Sequence, residues 1–149
     1  MTQPAPESPA PARPAPERPV RQPDDVGALA RKMGIVVQEL SAERSVATMP
    51  AEGNTQPYGV VHGGAYVVLA ESLGSMSANA HAGADRVAFG IELNASHTRS
   101  ASTGTITGTC TAIHLGGTLT THEVVMTDEE GRRLSTVRIT NIIRERSGR

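Results

Sequence analysis

The run Gly63–Ala80 carries one charged side chain, Glu71; its other members are Gly, Ala, Tyr, Val, Leu, Ser, Met and Asn. The run is too long for a strand and contains no proline, so it reads as a helix. A surface helix normally presents a face with several polar residues, whereas a helix apolar almost all round lies inside a fold. The rest of the chain must then wrap around it. Glu71 has two readings. It can mark a narrow solvated stripe, because Glu is rarely buried without a partner. Yet no Lys or Arg stands within four positions, and at helical spacing Glu71 shares its face with Val67, Val68, Gly74 and Ser75. A carboxylate in such company is costly unless it has a task, and we favour a functional Glu71.

The helix should begin at His62-Gly63-Gly64, after the polar loop Asn54-Thr55-Gln56-Pro57. The first N–H groups of a helix lack internal acceptors and carry the positive end of its dipole. Glycine lets a ligand approach that backbone, and such a terminus can hold a carbonyl oxygen as it becomes an oxyanion. Taken alone, the Gly pair fits a plain tight turn equally well. A carboxylate two turns further on tips the balance toward chemistry.

The remaining segments read mostly as strands. A short helix is expected near Asp25–Met33, with Asp24 or Asp25 as N-cap. Ile35–Leu40 and Arg44–Met49 follow as strands about the turn Ser41-Ala42-Glu43. In Val87–Thr98, Val87, Phe89, Ile91, Leu93 and Ala95 point one way and Glu92, Asn94, Ser96 and Thr98 the other. That parity puts His97 on the apolar side, either as a hydrogen-bonded core residue or as a ligand contact. Thr103–Ala112 sets five threonines against Gly104, Ile106, Gly108, Cys110 and Ala112, a small face that lets a sheet curve closely around a helix. Leu119–Thr127 and Leu134–Ile143 complete the set about the turn Asp128-Glu129-Glu130-Gly131. A helix followed by an antiparallel meander implies an α+β fold, a curved sheet around a central helix.

Eight of the ten prolines lie between Pro4 and Pro23. Residues 1–25 therefore read as a disordered or polyproline-II tail, and 26–149 as one folded domain. No segment is long and apolar enough for a membrane span. The formal net charge is −1 and the only aromatics are Tyr58, Tyr66 and Phe89, which leaves little for nucleic acid. Cys110 is the only cysteine, in keeping with a reducing, cytoplasmic location. The five histidines lack metal-ligand spacing, and there is no phosphate-binding loop, dinucleotide fingerprint or nucleophile elbow.

At His62-Gly63-Gly64-Ala65-x-x-x-Leu69-Ala70-Glu71-Ser72, and again at Glu92-Leu93-Asn94-Ala95-Ser96-His97-Thr98-Arg99, the chain resembles the hotdog-fold thioesterases. It is most similar to the phenylacetate and 4-hydroxybenzoyl-CoA type families in which a helix glutamate acts. The resemblance spans roughly residues 30–145 and departs at Ser100, where that branch commonly has proline. It implies hydrolysis of acyl- or aryl-CoA thioesters, or of carrier-protein thioesters. Glu71 would be nucleophile or general base and the Gly63 N–H would polarise the carbonyl. Gln56 and His62 would orient the thioester, Ser75 would hold the water, and His97 and Gly64 would contact substrate. It further implies a homodimer or homotetramer with the site between subunits, and no cofactor beyond the CoA of the substrate. Gly117 and Thr118, in the turn His114-Leu-Gly-Gly-Thr118, are candidates for CoA phosphates, though a plain hairpin turn explains them as well. The alternative function is a non-catalytic acyl-CoA sensor on the same fold; a hotdog dehydratase would need a His and acidic constellation that is not found.

Overall fold

The computed structural model describes residues 26–146. The expected proline-rich tail and the proposed caps Asp24 and Asp25 lie outside them. The elements in order are α1 (Ala28–Lys32), β1 (Val36–Leu40), β2 (Arg44–Pro50), α2 (Gly63–Ala82), β3 (Arg86–His97), β4 (Thr105–Leu115), β5 (Leu119–Thr127) and β6 (Arg133–Glu145). The strands form one antiparallel sheet in the order β1-β2-β4-β5-β6-β3. Helix α2 lies across its inner face, so this is the α+β hotdog arrangement. Among the described residues no helix is long and apolar enough to cross a membrane.

Small residues bring helix and sheet together. A Cβ on Gly74 would stand 2.5 Å from Ile139 Cγ2, and one on Gly108 would stand 3.2 Å from Leu69 Cδ2. The Thr/small alternation of β4 holds, with Ile106, Gly108 and Cys110 buried and the threonines outward. The strand itself starts at Thr105 and runs on to Leu115. Leu69, Leu73, Tyr66, Met49, Ile106, Val124, Met126 and Leu134 fill the main core. The helix stops at Gly83, whose φ of 83° suits glycine.

Three expectations change. First, α1 is shorter than expected and is preceded by Gly27, which makes no side-chain cap. Second, α2 is not enclosed all round. Ala65, Leu69, Ala70, Leu73, Ser77 and Ala78 pack on the sheet, while Val67, Val68 and Ser75 are half-buried and Glu71 is exposed. One sheet covers one side of a helix, so the second apolar face stays open in the single chain. Third, β3 does not keep one parity. A bulge between Gly90 and Glu92 inserts Ile91. Before it, Ala88 and Gly90 face inward, paired with Ile143 and Asn141, and Phe89 faces outward and is exposed. After it, Leu93, Ala95 and His97 face inward as expected.

Candidate functional site

The loop before α2 is tied down by backbone and amide bonds. Asn54 Nδ2 donates to the carbonyls of Met33 and Pro50, both at 2.9 Å, and Asn54 O accepts from His62 N. Gln56 N donates to Val60 O at 2.8 Å, closing a turn that carries Gly59 at φ 75°. His62 then caps the helix: its Nδ1 accepts from Gly64 N at 2.8 Å. The Gly64 N–H is thereby occupied, while the Gly63 N–H has no acceptor among the described residues. His62 thus earns its position by organising the terminus, and the donor left available is that of Gly63.

His97 sits directly against Gly63. The ring is exposed, not a core histidine, and a Cβ on Gly63 would meet its Cδ2 and Nε2 at 2.9 Å each. Its orientation comes from β6. Ser135 Oγ donates to Ser96 O at 3.2 Å and lies 2.8 Å from His97 Nδ1. With the hydroxyl proton committed to Ser96, Ser135 accepts from His97 Nδ1–H, and Nε2 is left as an acceptor. Gln56, Val60, Val61, Gly63, Tyr66, His97, Thr98, Arg99 and Ser100 line one cavity of about 340 Å³. Three of the expected residues, Gln56, Gly63 and His97, therefore come together within one chain.

Glu71 and Ser75 lie elsewhere. Glu71 is eight positions after Gly63, about 12 Å along the helix axis. The Glu71 carboxylate stands beside the inner face of β3, where a Cβ on Gly90 would be 3.5 Å from its Oε1. Ser75 Oγ donates to Asn141 Oδ1 at 3.1 Å. The Gly117 and Thr118 turn lies at the opposite end of α2. There Gly117 O accepts from Arg86 Nη1 and Gly116 O lies 3.0 Å from His81 Nε2, while Gly117 and Thr118 themselves are exposed. The chain by itself does not bring them near Gly63.

Burial shifts two further groups near the core. Burial, and then the negative charge of Asp128, push the Tyr66 phenol up. Burial pushes the Cys110 thiol up to about 11, so no thiolate forms near neutrality. Among the described residues no three His, Cys, Asp or Glu side chains converge as metal ligands.

Three residues at these sites escape motif reading. Ser135 is found only through strand register, which sets it opposite His97. Tyr66 is buried beside His97, ring centroids 5.5 Å apart, and looks like any core aromatic. Asn141 did carry a signal, since alternation places it on the apolar face with Val137, Ile139 and Ile143.

Comparison with known proteins identifies the family. The Thioesterase superfamily profile matches residues 58–135, just over half of the chain. The chain is 40% identical over 119 residues to a proofreading thioesterase EntH of Cronobacter sakazakii, covering 79% of this chain and 87% of that protein. It is 42% identical over 108 residues to a protein of the same name from Klebsiella pneumoniae, covering 72% and 79%. The crystal structure of a mutant thioesterase from Pseudomonas aeruginosa superposes with a TM-score of 0.78 at 30% identity, covering 87% of this chain and 98% of that one. The family profile, the similar relatives and the fold together place the chain in the thioesterase superfamily, with the hotdog fold.

Proposed function

We propose that the protein hydrolyses acyl- or aryl-CoA thioesters at a site shared by two copies of the chain. The observation behind this reading is the separation of the two halves of the chemistry. The free Gly63 N–H opens on the cavity that holds Gln56 and His97, while Glu71 stands about 12 Å along the helix on its open face. One thioester carbonyl cannot reach both in the same chain. A second copy supplies the missing half. Strand β3 is an edge of the sheet, paired only with β6, and the uncovered face of α2 lies beside it. Pairing two β3 edges antiparallel brings two such helices together.

In that site the Gly63 N–H and the positive end of α2 stabilise the oxyanion. The Gln56 amide helps to hold the thioester. Glu71 of the other copy attacks the carbonyl carbon to form an anhydride, or takes a proton from an attacking water held by Ser75. In either case the C–S bond breaks, and water supplies the oxygen of the acid and the proton of the thiol. His97 Nε2, an acceptor, receives a hydroxyl of the acyl group, which favours hydroxyaryl acids. CoA phosphates meet the backbone and basic groups near Gly117 and Thr118 of a neighbouring copy. The enzyme works in the cytoplasm.

The test is thiol release from a panel of CoA and carrier-protein thioesters, short acyl through benzoyl and hydroxybenzoyl, with wild type beside Glu71→Ala. The reading requires turnover of one class, reduced by several orders of magnitude in the variant. Turnover retained in folded Glu71→Ala contradicts it. Binding of CoA thioesters with no turnover in the wild type favours a sensor.

A further inference from the structure

We infer that Asn141 is a positioning residue for hydrolysis, one that acts through Ser75 to orient the attacking water; the inference rests on the function proposed above. Asn141 is fully buried, on the inner face of β6, among Ile139, Ile143 and the underside of α2. A polar amide in that place calls for an explanation, the more so as its Nδ2 is buried without a hydrogen-bond partner among the described residues. Its Oδ1 takes the hydroxyl proton of Ser75 at 3.1 Å. Its cross-strand neighbour on β3 is Gly90, and a Cβ there would lie 3.5 Å from Glu71 Oε1 and 3.8 Å from Asn141 Oδ1. Glycine at this position leaves amide and carboxylate on two sides of an open notch. Ser75 and Glu71 are one helical turn apart on the same face.

The consequence is a choice of hydrogen-bond direction. A serine hydroxyl has one proton and two lone pairs. With the proton given to Asn141, Ser75 Oγ faces the notch as an acceptor only. A water between Ser75 and Glu71 then donates both its protons, one to Ser75 Oγ and one to the carboxylate. Its lone pair is left to point outward at the electrophilic carbon. Attack forms the C–O bond, passes one water proton to Glu71 and moves the carbonyl electron pair onto the oxyanion; its collapse breaks the C–S bond, and the leaving thiolate takes the proton from Glu71. Without Asn141 the hydroxyl would be free to donate to Glu71 or to the water, and the lone pair would lose its direction. Helix α2 supports the arrangement from the next turn, where Asn79 Nδ2 donates to Ser75 O at 2.8 Å and also to Ala88 O at 3.0 Å.

The experiment is a double-mutant cycle in thiol release with Asn141→Leu and Ser75→Ala, checked for folding by circular dichroism and melting temperature. Asn141→Leu should lower kcat about tenfold, the scale of one lost hydrogen bond in a site, with KM changed less than about twofold. In the Ser75→Ala background the same substitution should change kcat no further. Unchanged kcat in folded Asn141→Leu overturns the inference, and so does an equal further loss on top of Ser75→Ala, which would mark a structural role. If the leucine variant does not fold, Asn141→Thr carries the same cycle, since threonine suits the strand and its shorter hydroxyl cannot reach Ser75. Glu71→Ala measured alongside separates the failures. Full turnover there overturns the proposed function and this inference together. Loss there, with Asn141 variants unaffected, overturns only the inference.

Discussion

The imidazole of His97 occupies the space that a side chain on Gly63 would need. A Cβ there would stand 2.9 Å from both Cδ2 and Nε2 of the ring. The glycine whose helix N–H has no acceptor among the described residues is thus also the glycine that admits the histidine. Gly63→Ala should therefore do more than crowd a turn. The ring is tethered through Nδ1 to Ser135 and cannot retreat without losing that bond. The expected result is a fall in kcat/KM of about a hundredfold, about 2.7 kcal/mol of transition-state stabilisation. Steady-state thiol release measures it, and a near-normal kcat/KM would contradict the assignment of the oxyanion donor.

Ser135→Ala tests the tautomer of His97. Removing the hydroxyl leaves Nδ1 without its acceptor, so Nε2 is no longer fixed as the acceptor facing the cavity. A threefold to tenfold loss is expected on hydroxyaryl thioesters, roughly the worth of one hydrogen bond, and little change on unsubstituted ones. The ring ¹⁵N shifts of His97 should move from the Nδ1–H form toward a mixture.

Close packing of α2 predicts a stability effect with opposing terms. Gly74→Ala should gain about 1 kcal/mol of helix propensity. The new methyl, however, would stand 2.5 Å from Ile139 Cγ2. Ile139 is β-branched and cannot swing aside without leaving its rotamer, and overpacking costs about 1–3 kcal/mol. The net result should be a loss of roughly 1 kcal/mol by urea unfolding.

The fold was largely legible because its strongest signals are local. The uncharged run with Glu71, the Gly pair and the Thr/small alternation of β4 each report on their own segment. What was not legible depends on pairing. Nothing in Val87–Thr98 announces that Ile91 is a bulge, since a bulge is defined by the partner strand, and missing it reverses Phe89 and Gly90. Likewise the sequence of α2 is apolar on two faces, which by itself says buried. Only the sheet shows that one face is covered by this chain and the other, with Glu71, is left open. Of the candidate site, Gln56, Gly63 and His97 are joined by the fold, whereas Ser135 needed strand register to be found and Asn141 showed only as a polar residue on the apolar face of its strand.

His122 gives a pH dependence of stability. It is fully buried, and its Nε2 lies 3.0 Å from Ala42 O. That carbonyl only accepts, so Nε2 carries the proton, and Nδ1 is buried without a partner. Desolvation accordingly holds its pKa below the ordinary 6.5, with the backbone bond to Ala42 opposing and His81 adding slightly. Below 6.5 the unfolded chain takes up a proton that the folded chain refuses. The stabilisation from neutral His122 is therefore full above 6.5 and is lost as pH falls from 6.5 through the lower folded value. Melting temperature should drop across that window in the wild type. In His122→Leu it should start lower at neutral pH, with the Ala42 bond gone, and show a weaker decline.

On the proposed function each active site draws Glu71 from one copy and Gly63 with Gln56 from another. Subunit mixing tests it most directly. Glu71→Ala and Gln56→Ala are each expected to be crippled alone. Refolded together in equal amounts, half of the dimers are mixed, and each mixed dimer carries one site with both residues intact. The mixture should recover about a quarter of wild-type turnover, as two-fold symmetry requires. A mixture no more active than the separate variants would place both residues in a site within one chain and contradict the account.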